Sequence, residues 1–129
     1  MSDKTMRTDL GRVRGLGSAK EGVHHWWAQR LTAIALLPLG LWFAFSAPGL
    51  IGADHATAVA WLASPFNTIA TALFVIAMFH HAQLGLQVVV EDYVHGEAAK
   101  LTVLIAVKFA ALALGVISLY ALLKIAFGG

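Results

Sequence analysis

The chain has 129 residues, of which 59% are hydrophobic and 12% are charged, whereas a soluble domain carries about 25% charged residues. This composition indicates a membrane protein and excludes a large extramembrane domain, because each membrane-spanning helix needs about 20 residues. The chain has no cysteine, which excludes disulfides, iron–sulfur ligation, thiol catalysis and covalent c-type haem attachment. The net charge of +2 is unevenly distributed, since six of the nine basic residues lie in the first thirty positions.

Three apolar segments are long enough to cross a bilayer, and they are predicted at about residues 30–50, 65–90 and 101–127. Open backbone finds no hydrogen-bond partner in lipid, so the predicted fold class is an all-α membrane protein with three transmembrane helices. Pro38 lies inside the first segment and predicts a kink there. Residues 51–64 and 91–100 are predicted as the two connecting loops.

Residues 1–21 are predicted as a basic cytoplasmic tail and residues 22–129 as the three-helix membrane domain. The loop 51–64 contains no Lys or Arg, so the positive-inside rule predicts a cytoplasmic N-terminus and a periplasmic C-terminus. Acidic residues in the tail disfavour a mitochondrial transit peptide. We therefore expect a bacterial inner membrane, with the mitochondrial inner membrane as the alternative. Membrane lipids are expected contacts and nucleic acid is not.

Two adjacent histidines, His80 and His81, fall near the middle of the second segment. An ionisable side chain is costly there and usually faces a bundle interior, a cavity or a cofactor. Successive helical residues are about 100° apart, so one histidine is expected to ligate or pair while the other bonds a neighbouring helix. Gly85, one turn after His81, would let a flat macrocycle approach the backbone. Two interpretations stay open, namely two interhelical hydrogen-bond partners or an axial ligand to haem iron.

A haem held by two histidines would need a second ligand at similar depth. Neither the first nor the third segment contains a histidine. If haem is present, another chain must therefore supply the second ligand, and the protein would be part of an obligate hetero-oligomer.

Asp92 and Tyr93 follow His81 by eleven and twelve residues. Eleven residues are almost three turns, which places Asp92 nearly in line with His81 and about 16 Å further along the axis, at the cytoplasmic border. A phenol there can donate a hydrogen bond to a quinone carbonyl, and the carboxylate can orient polar groups or relay protons. The alternative is an aromatic-belt tyrosine followed by a solvated acidic loop.

The segment Gly22–Arg30 contains two histidines, two tryptophans and an arginine. Trp26 and Trp27 are typical interfacial anchors, and Arg30 can extend its guanidinium to lipid headgroups. Alternatively, a basic residue here meets an anionic cofactor substituent or a group of a quinone site. Lys108, inside the third segment, is expected to extend towards water or to make a polar contact within the bundle.

Two motifs carry a resemblance to a known family: GVHHWWAQRLTAIAL at Gly22–Leu36 and HAQLGLQVVVEDYV at His81–Val94. Their order and separation, with the three apolar segments, resemble the small hydrophobic membrane anchor subunit of succinate dehydrogenase, respiratory complex II. The resemblance implies that residues 22–129 form a membrane anchor domain. It also implies a four-subunit oxidoreductase with a flavoprotein, an iron–sulfur subunit and a separate cytochrome b membrane subunit as partners, in which this chain carries no succinate chemistry.

The resemblance also implies roles for single residues. His81 would supply one axial ligand to haem b, and the cytochrome b subunit would supply the other. Tyr93 would hydrogen-bond ubiquinone, with Asp92 beside it in the quinone site. His24 and Arg30 match positions near haem propionates or lipid headgroups. No specific role is implied for four other polar residues: His25, His80, Gln83 and Lys108.

Two alternatives to this function remain at the level of the sequence. One is the anchor of a quinol:fumarate reductase, which runs the reverse reaction with a similar quinone pocket. The other is a haem-free helical scaffold or transporter subunit, in which the two mid-membrane histidines only bridge helices.

Overall fold

The computed structural model describes residues 8–13 and 20–128. Within these residues the chain forms α-helices only, apart from a 3-10 turn at Ala47–Leu50; the helices are α1 (Asp9–Val13), α2 (Lys20–Ser46), α3 (His55–Ala63), α4 (Pro65–Tyr93) and α5 (Glu97–Ala126). Three stretches are long and apolar enough to cross a membrane: Gly22–Leu50, Pro65–Tyr93 and Glu97–Ala126. The predicted all-α fold with three membrane helices is confirmed. Residues 1–7 and 14–19 of the predicted tail lie outside the described residues.

The helices extend beyond the predicted apolar segments. Helix α2 begins at Lys20 rather than at about residue 30, because aromatic and long polar side chains suit a helix at the membrane border. It ends before Pro48, where a 3-10 turn takes over. Pro38 lies within the continuous helix, and the kink at that position stays a prediction.

The predicted loop 91–100 is shorter in the structure, because α4 runs to Tyr93 and α5 starts at Glu97. Only residues 94–96 connect the two helices. Gly96 has a φ of 98°, a conformation that side chains with a Cβ rarely adopt. This glycine lets the chain reverse in three residues.

The segment 51–64 differs from the prediction, because α3 forms inside it. Asp54 caps this helix, and its carboxylate accepts a hydrogen bond from the Thr57 N–H at 2.9 Å. Hydrogen bonds from the Thr57 side chain and backbone lower the pKa of Asp54. A cap of this kind satisfies one of the free N–H groups at the start of a helix. This cap helps to explain why residues 55–63 form a helix where the sequence predicted a loop.

Aromatic and polar contacts attach α3 to the membrane helices. The ring of Trp61 stacks on that of Trp42 in α2, with centroids 5.7 Å apart and planes 13° apart. In α4, Asn67 donates a hydrogen bond to the Trp61 carbonyl at 2.9 Å, and Thr68 donates one to the Leu62 carbonyl at 2.6 Å. Helix α3 therefore fastens the ends of α2 and α4 to each other.

Helix α4 is the central element of the bundle, since it packs against both α2 and α5. Among the described residues, four of the five buried hydrophobic side chains belong to it: Ala70, Ala77, Leu84 and Val90. Small side chains let helix axes approach closely in a membrane. Gly115 of α5 illustrates this, since a Cβ there would lie 3.7 Å from the ring of Phe79 in α4. The other faces of α2 and α5 are exposed and apolar, as expected for contact with lipid or with another membrane subunit.

Candidate functional site

Cross-contacts between α2 and α4 define an antiparallel register. Thr32 of α2 meets His81 of α4, and Gln29 lies beside Gly85, where a Cβ would be 3.8 Å from its Nε2. As the α2 numbers fall, the α4 numbers rise. The segment Gly22–Arg30 and the end of α4 therefore lie at the same end of the bundle, so the two sequence motifs meet in space.

His81 is attached to α2 through a single ring nitrogen. Its Nδ1 lies 3.0 Å from the Thr32 hydroxyl oxygen, across 49 positions of sequence. The same hydroxyl oxygen lies 2.7 Å from the Ala28 carbonyl and 3.1 Å from the Gln29 carbonyl. The imidazole is half-buried, and its Nε2 has no hydrogen-bond partner among the described residues. His81 therefore makes the interhelical bond. The sequence prediction divided this bond and a ligand role between the two histidines, whereas the structure gives the bond to the histidine that the family resemblance marks as the ligand.

His80 is exposed and lies in a different environment. It lines a cavity of about 470 Å³ between α4 and α5, together with Phe79, Gln83 and Lys108. It also lines a second cavity of about 330 Å³ between α2 and α4. Thr32, the partner of His81, also lines the second cavity. The surroundings of the two adjacent histidines therefore overlap on the α2 side and differ towards α5, which only His80 faces through the first cavity.

The structure brings together a polar stripe that sequence reasoning missed: His25, Gln29 and Thr32 on the face of α2 towards α4. His25 Nε2 and Gln29 Oε1 are buried without a hydrogen-bond partner among the described residues. Buried polar atoms without a partner are uncommon in folded proteins, and Thr71 Oγ1 of α4 is the third such atom among the described residues. The signal was present in the sequence, because spacings of four and three residues put these side chains on one helical face. The stripe also lies beside Gly85, the glycine at which the sequence predicted close approach of a macrocycle. In this chain the Gln29 side chain lies next to it, and the approach of a macrocycle stays a prediction.

A second polar row runs along α4 towards the same end of the bundle. Gln83 donates a hydrogen bond to Gln87 at 3.3 Å, and Gln87 donates one to Glu91 at 2.9 Å. The row begins near His80 and reaches the border of the predicted membrane span. Gln83, which had no predicted role, therefore belongs to a continuous polar stripe on an otherwise apolar helix.

The predicted quinone-site residues lie on the surface of this chain. Asp92 and Tyr93 end α4, and Tyr93 is 77% exposed. His24 is exposed as well, and the Arg30 guanidinium lies 5.5 Å from the centroid of the Trp26 ring. That distance is typical of a cation–π contact. All four predicted residues belong to the same end of the bundle, but this chain alone does not enclose them in a pocket.

The chemistry of His81 is compatible with ligation of a haem iron. His81 offers a mid-span imidazole with Nδ1 engaged and Nε2 free, which is the usual arrangement of a ligating histidine. In the described part of the chain, no three His, Cys, Asp or Glu side chains gather into a metal site. His81 therefore stands alone as a possible metal donor near the middle of α4, without other donors gathered around it among the described residues.

Residues 4–117 match the family model described as succinate dehydrogenase/fumarate reductase transmembrane subunit. The chain is 38% identical over 102 residues to the succinate dehydrogenase hydrophobic membrane anchor subunit of Rickettsia bellii, covering 79% of this chain and 82% of that protein. It is 35% identical over 97 residues to the subunit of the same name from Paracoccus denitrificans, covering 75% of each chain.

These comparisons confirm the resemblance carried by the two motifs. The bacterial relatives and the three apolar helices agree with a protein of the bacterial inner membrane. The chain therefore belongs to the family of succinate dehydrogenase and fumarate reductase transmembrane subunits, and within it to the hydrophobic membrane anchor subunits of succinate dehydrogenase.

Proposed function

We propose that this chain anchors the flavoprotein and iron–sulfur subunits of a succinate:ubiquinone oxidoreductase to the membrane, supplies one axial ligand to haem b and forms part of the ubiquinone-reduction site. The matched relatives are named as succinate dehydrogenase anchors, which supports oxidation of succinate as the direction of the complex. The succinate chemistry belongs to the partner subunits.

The haem assignment rests on the hydrogen bonding of the His81 ring. A mid-span imidazole bound to Thr32 through Nδ1 at 3.0 Å presents Nε2 as the ligand atom. A second histidine ligand would come from a separate cytochrome b subunit, because the other two membrane helices have no histidine at this depth. When bound, the haem supplies one-electron redox chemistry. The orphaned polar atoms of His25 and Gln29 mark the same α2–α4 surface as incomplete in the isolated chain.

The proposed quinone site lies at the end of the bundle where the two sequence motifs meet. Tyr93 is exposed and can donate its phenolic hydrogen to a quinone carbonyl, while the adjacent Asp92 carboxylate orients polar groups or accepts a proton. Arg30 and His24 provide basic groups for haem propionates or lipid headgroups at this end. The remaining walls of the pocket belong to partner subunits, because these residues lie on the surface of the chain.

The orientation follows from charge. The N-terminal region carries most of the basic residues, so it is placed in the cytoplasm, and three spans then put the C-terminus in the periplasm. The end of α4 with Tyr93 therefore faces the cytoplasm, where the soluble subunits would dock.

The decisive test is a pair of variants in the purified four-subunit complex. His81→Ala should abolish the dithionite-reduced b-type absorption band, because it removes the ligand atom. His80→Ala is the matched control and should retain the band, because His80 lines the cavities on both sides of α4 without the bond to Thr32 that orients His81. Normal haem in His81→Ala would refute the assignment and favour the haem-free scaffold. Loss of the band only in His80→Ala would move the ligand to the neighbouring residue.

A further inference from the structure

The hydrogen bonds around Thr32 determine which nitrogen of His81 carries the proton. A threonine hydroxyl has one hydrogen and two acceptor positions. Its oxygen lies 2.7 Å from the Ala28 carbonyl oxygen, a distance at which a hydrogen must lie between the two oxygens. The Thr32 hydrogen is therefore used within α2 and is not available to the imidazole.

It follows that His81 donates to Thr32. The Nδ1···Oγ1 distance of 3.0 Å is that of a normal hydrogen bond, and with the Thr32 hydrogen already committed, the shared hydrogen must be on Nδ1. A neutral imidazole with hydrogen on Nδ1 has its lone pair on Nε2. The opposite tautomer would place two acceptors, Oγ1 and Nδ1, against each other.

We propose that Thr32 is a positioning residue that holds His81 in the Nδ1–H tautomer and directs its Nε2 lone pair towards the haem iron. This inference rests on the proposed haem ligation by His81. The hydrogen bond from the Thr32 hydroxyl to the carbonyls of its own helix restricts rotation of the Thr32 side chain. The oxygen that accepts from His81 is therefore held in place before any ligand binds. Partners of this kind orient the ring of a ligating histidine and raise its basicity.

The test uses three variants of the assembled complex. Thr32→Val keeps the shape of the side chain and removes the acceptor oxygen, whereas Thr32→Ser restores that oxygen. Thr102→Val is the matched control, because the Thr102 hydroxyl in α5 bonds, among the described residues, only to the Ala98 carbonyl of its own helix. Haem content per complex, the haem midpoint potential and the low-temperature electron paramagnetic resonance spectrum are measured.

Thr32→Val should weaken haem retention by about 10- to 100-fold and should shift both the potential and the spectrum. Thr32→Ser should keep the original values, and Thr102→Val should leave them unchanged. A purely structural role would lower the amount of complex without moving the potential of the haem that remains. If Thr32→Val does not assemble, Thr32→Ala provides the same comparison.

Two failures can be told apart. If His81→Ala keeps its haem, the proposed ligation is wrong and the role of Thr32 falls with it. If His81→Ala loses haem but Thr32→Val shows an unchanged potential and spectrum, the ligation stands and only the positioning role is refuted.

Discussion

Gly85 offers a graded test of how closely α2 and α4 must pack beside His81. A Cβ at this position would lie 3.8 Å from Gln29 Nε2, which is an ordinary van der Waals contact. Gly85→Ala should therefore fit without moving a neighbour. A leucine side chain reaches about 2.5 Å beyond its Cβ, so Gly85→Leu must displace Gln29 or separate the two helices.

Overpacking of this kind typically costs about 1–3 kcal/mol. Because about 1.4 kcal/mol corresponds to a tenfold change in an equilibrium constant, the haem affinity of Gly85→Leu should fall by about 5- to 140-fold if the whole cost acts on the haem-bound state. The assay is haem content per purified complex together with its Tm, measured in the same detergent. Gly85→Ala should match the unaltered protein in both measurements.

Gly115→Leu is the matched control for this series. Gly115 is crowded to a similar degree, since a Cβ there would lie 3.7 Å from the Phe79 ring, but it lies between α4 and α5. Both leucine variants should lower the Tm, and only Gly85→Leu should lose haem. Full haem retention in Gly85→Leu, or equal haem loss in both variants, would refute the reasoning that this face of α4 supports the ligand.

Three further predictions follow from other contacts. Tyr93→Phe should lower quinone reductase turnover while the haem spectrum stays intact, whereas Tyr120→Phe, an equally conservative change on α5, should leave turnover normal; unchanged turnover in Tyr93→Phe would contradict the quinone role. The folded pKa of Asp54 is lowered, so its cap stabilises α3 above the ordinary pKa of 3.8 and is lost as the pH falls through the lowered value; hydrogen exchange of the α3 amides should accelerate there and, at neutral pH, in Asp54→Ala. Trp61→Ala removes the ring stacked on Trp42 and should cost about 1–3 kcal/mol of stability, with Trp61→Phe costing less, in thermal unfolding.

Much of the candidate site could be predicted from the sequence because the membrane restricts the possibilities. A pair of histidines in an apolar segment is costly, so His80 and His81 stand out without any coordinates. Spacing along a helix likewise places Tyr93 about 18 Å from His81. The same periodicity would have placed His25, Gln29 and Thr32 on one face of α2. Their residue types do not mark them as a site, however, until their contacts with α4 are known.

The extent of α3 and the ends of the long helices could not be predicted from hydropathy. Helix α3 depends on the Asp54 cap and on contacts from Trp61 to residues in α2 and α4. Such contacts join distant positions, and a local pattern does not contain them. The same holds for the short connection at residues 94–96, which requires the positive φ of Gly96.

Composition and hydropathy were sufficient to determine an all-helical membrane protein with three spans, because lipid leaves a backbone no other way to satisfy its hydrogen bonds. They also singled out His80 and His81, the two residues between which we assign the proposed haem ligand. The antiparallel packing of α2 against α4 brings Thr32 to His81 across 49 positions of sequence. It also determines that Nδ1 of His81 is hydrogen-bonded and that Nε2 is not. A hydrogen bond between two helices is a property of their relative placement, and only the folded chain has that placement.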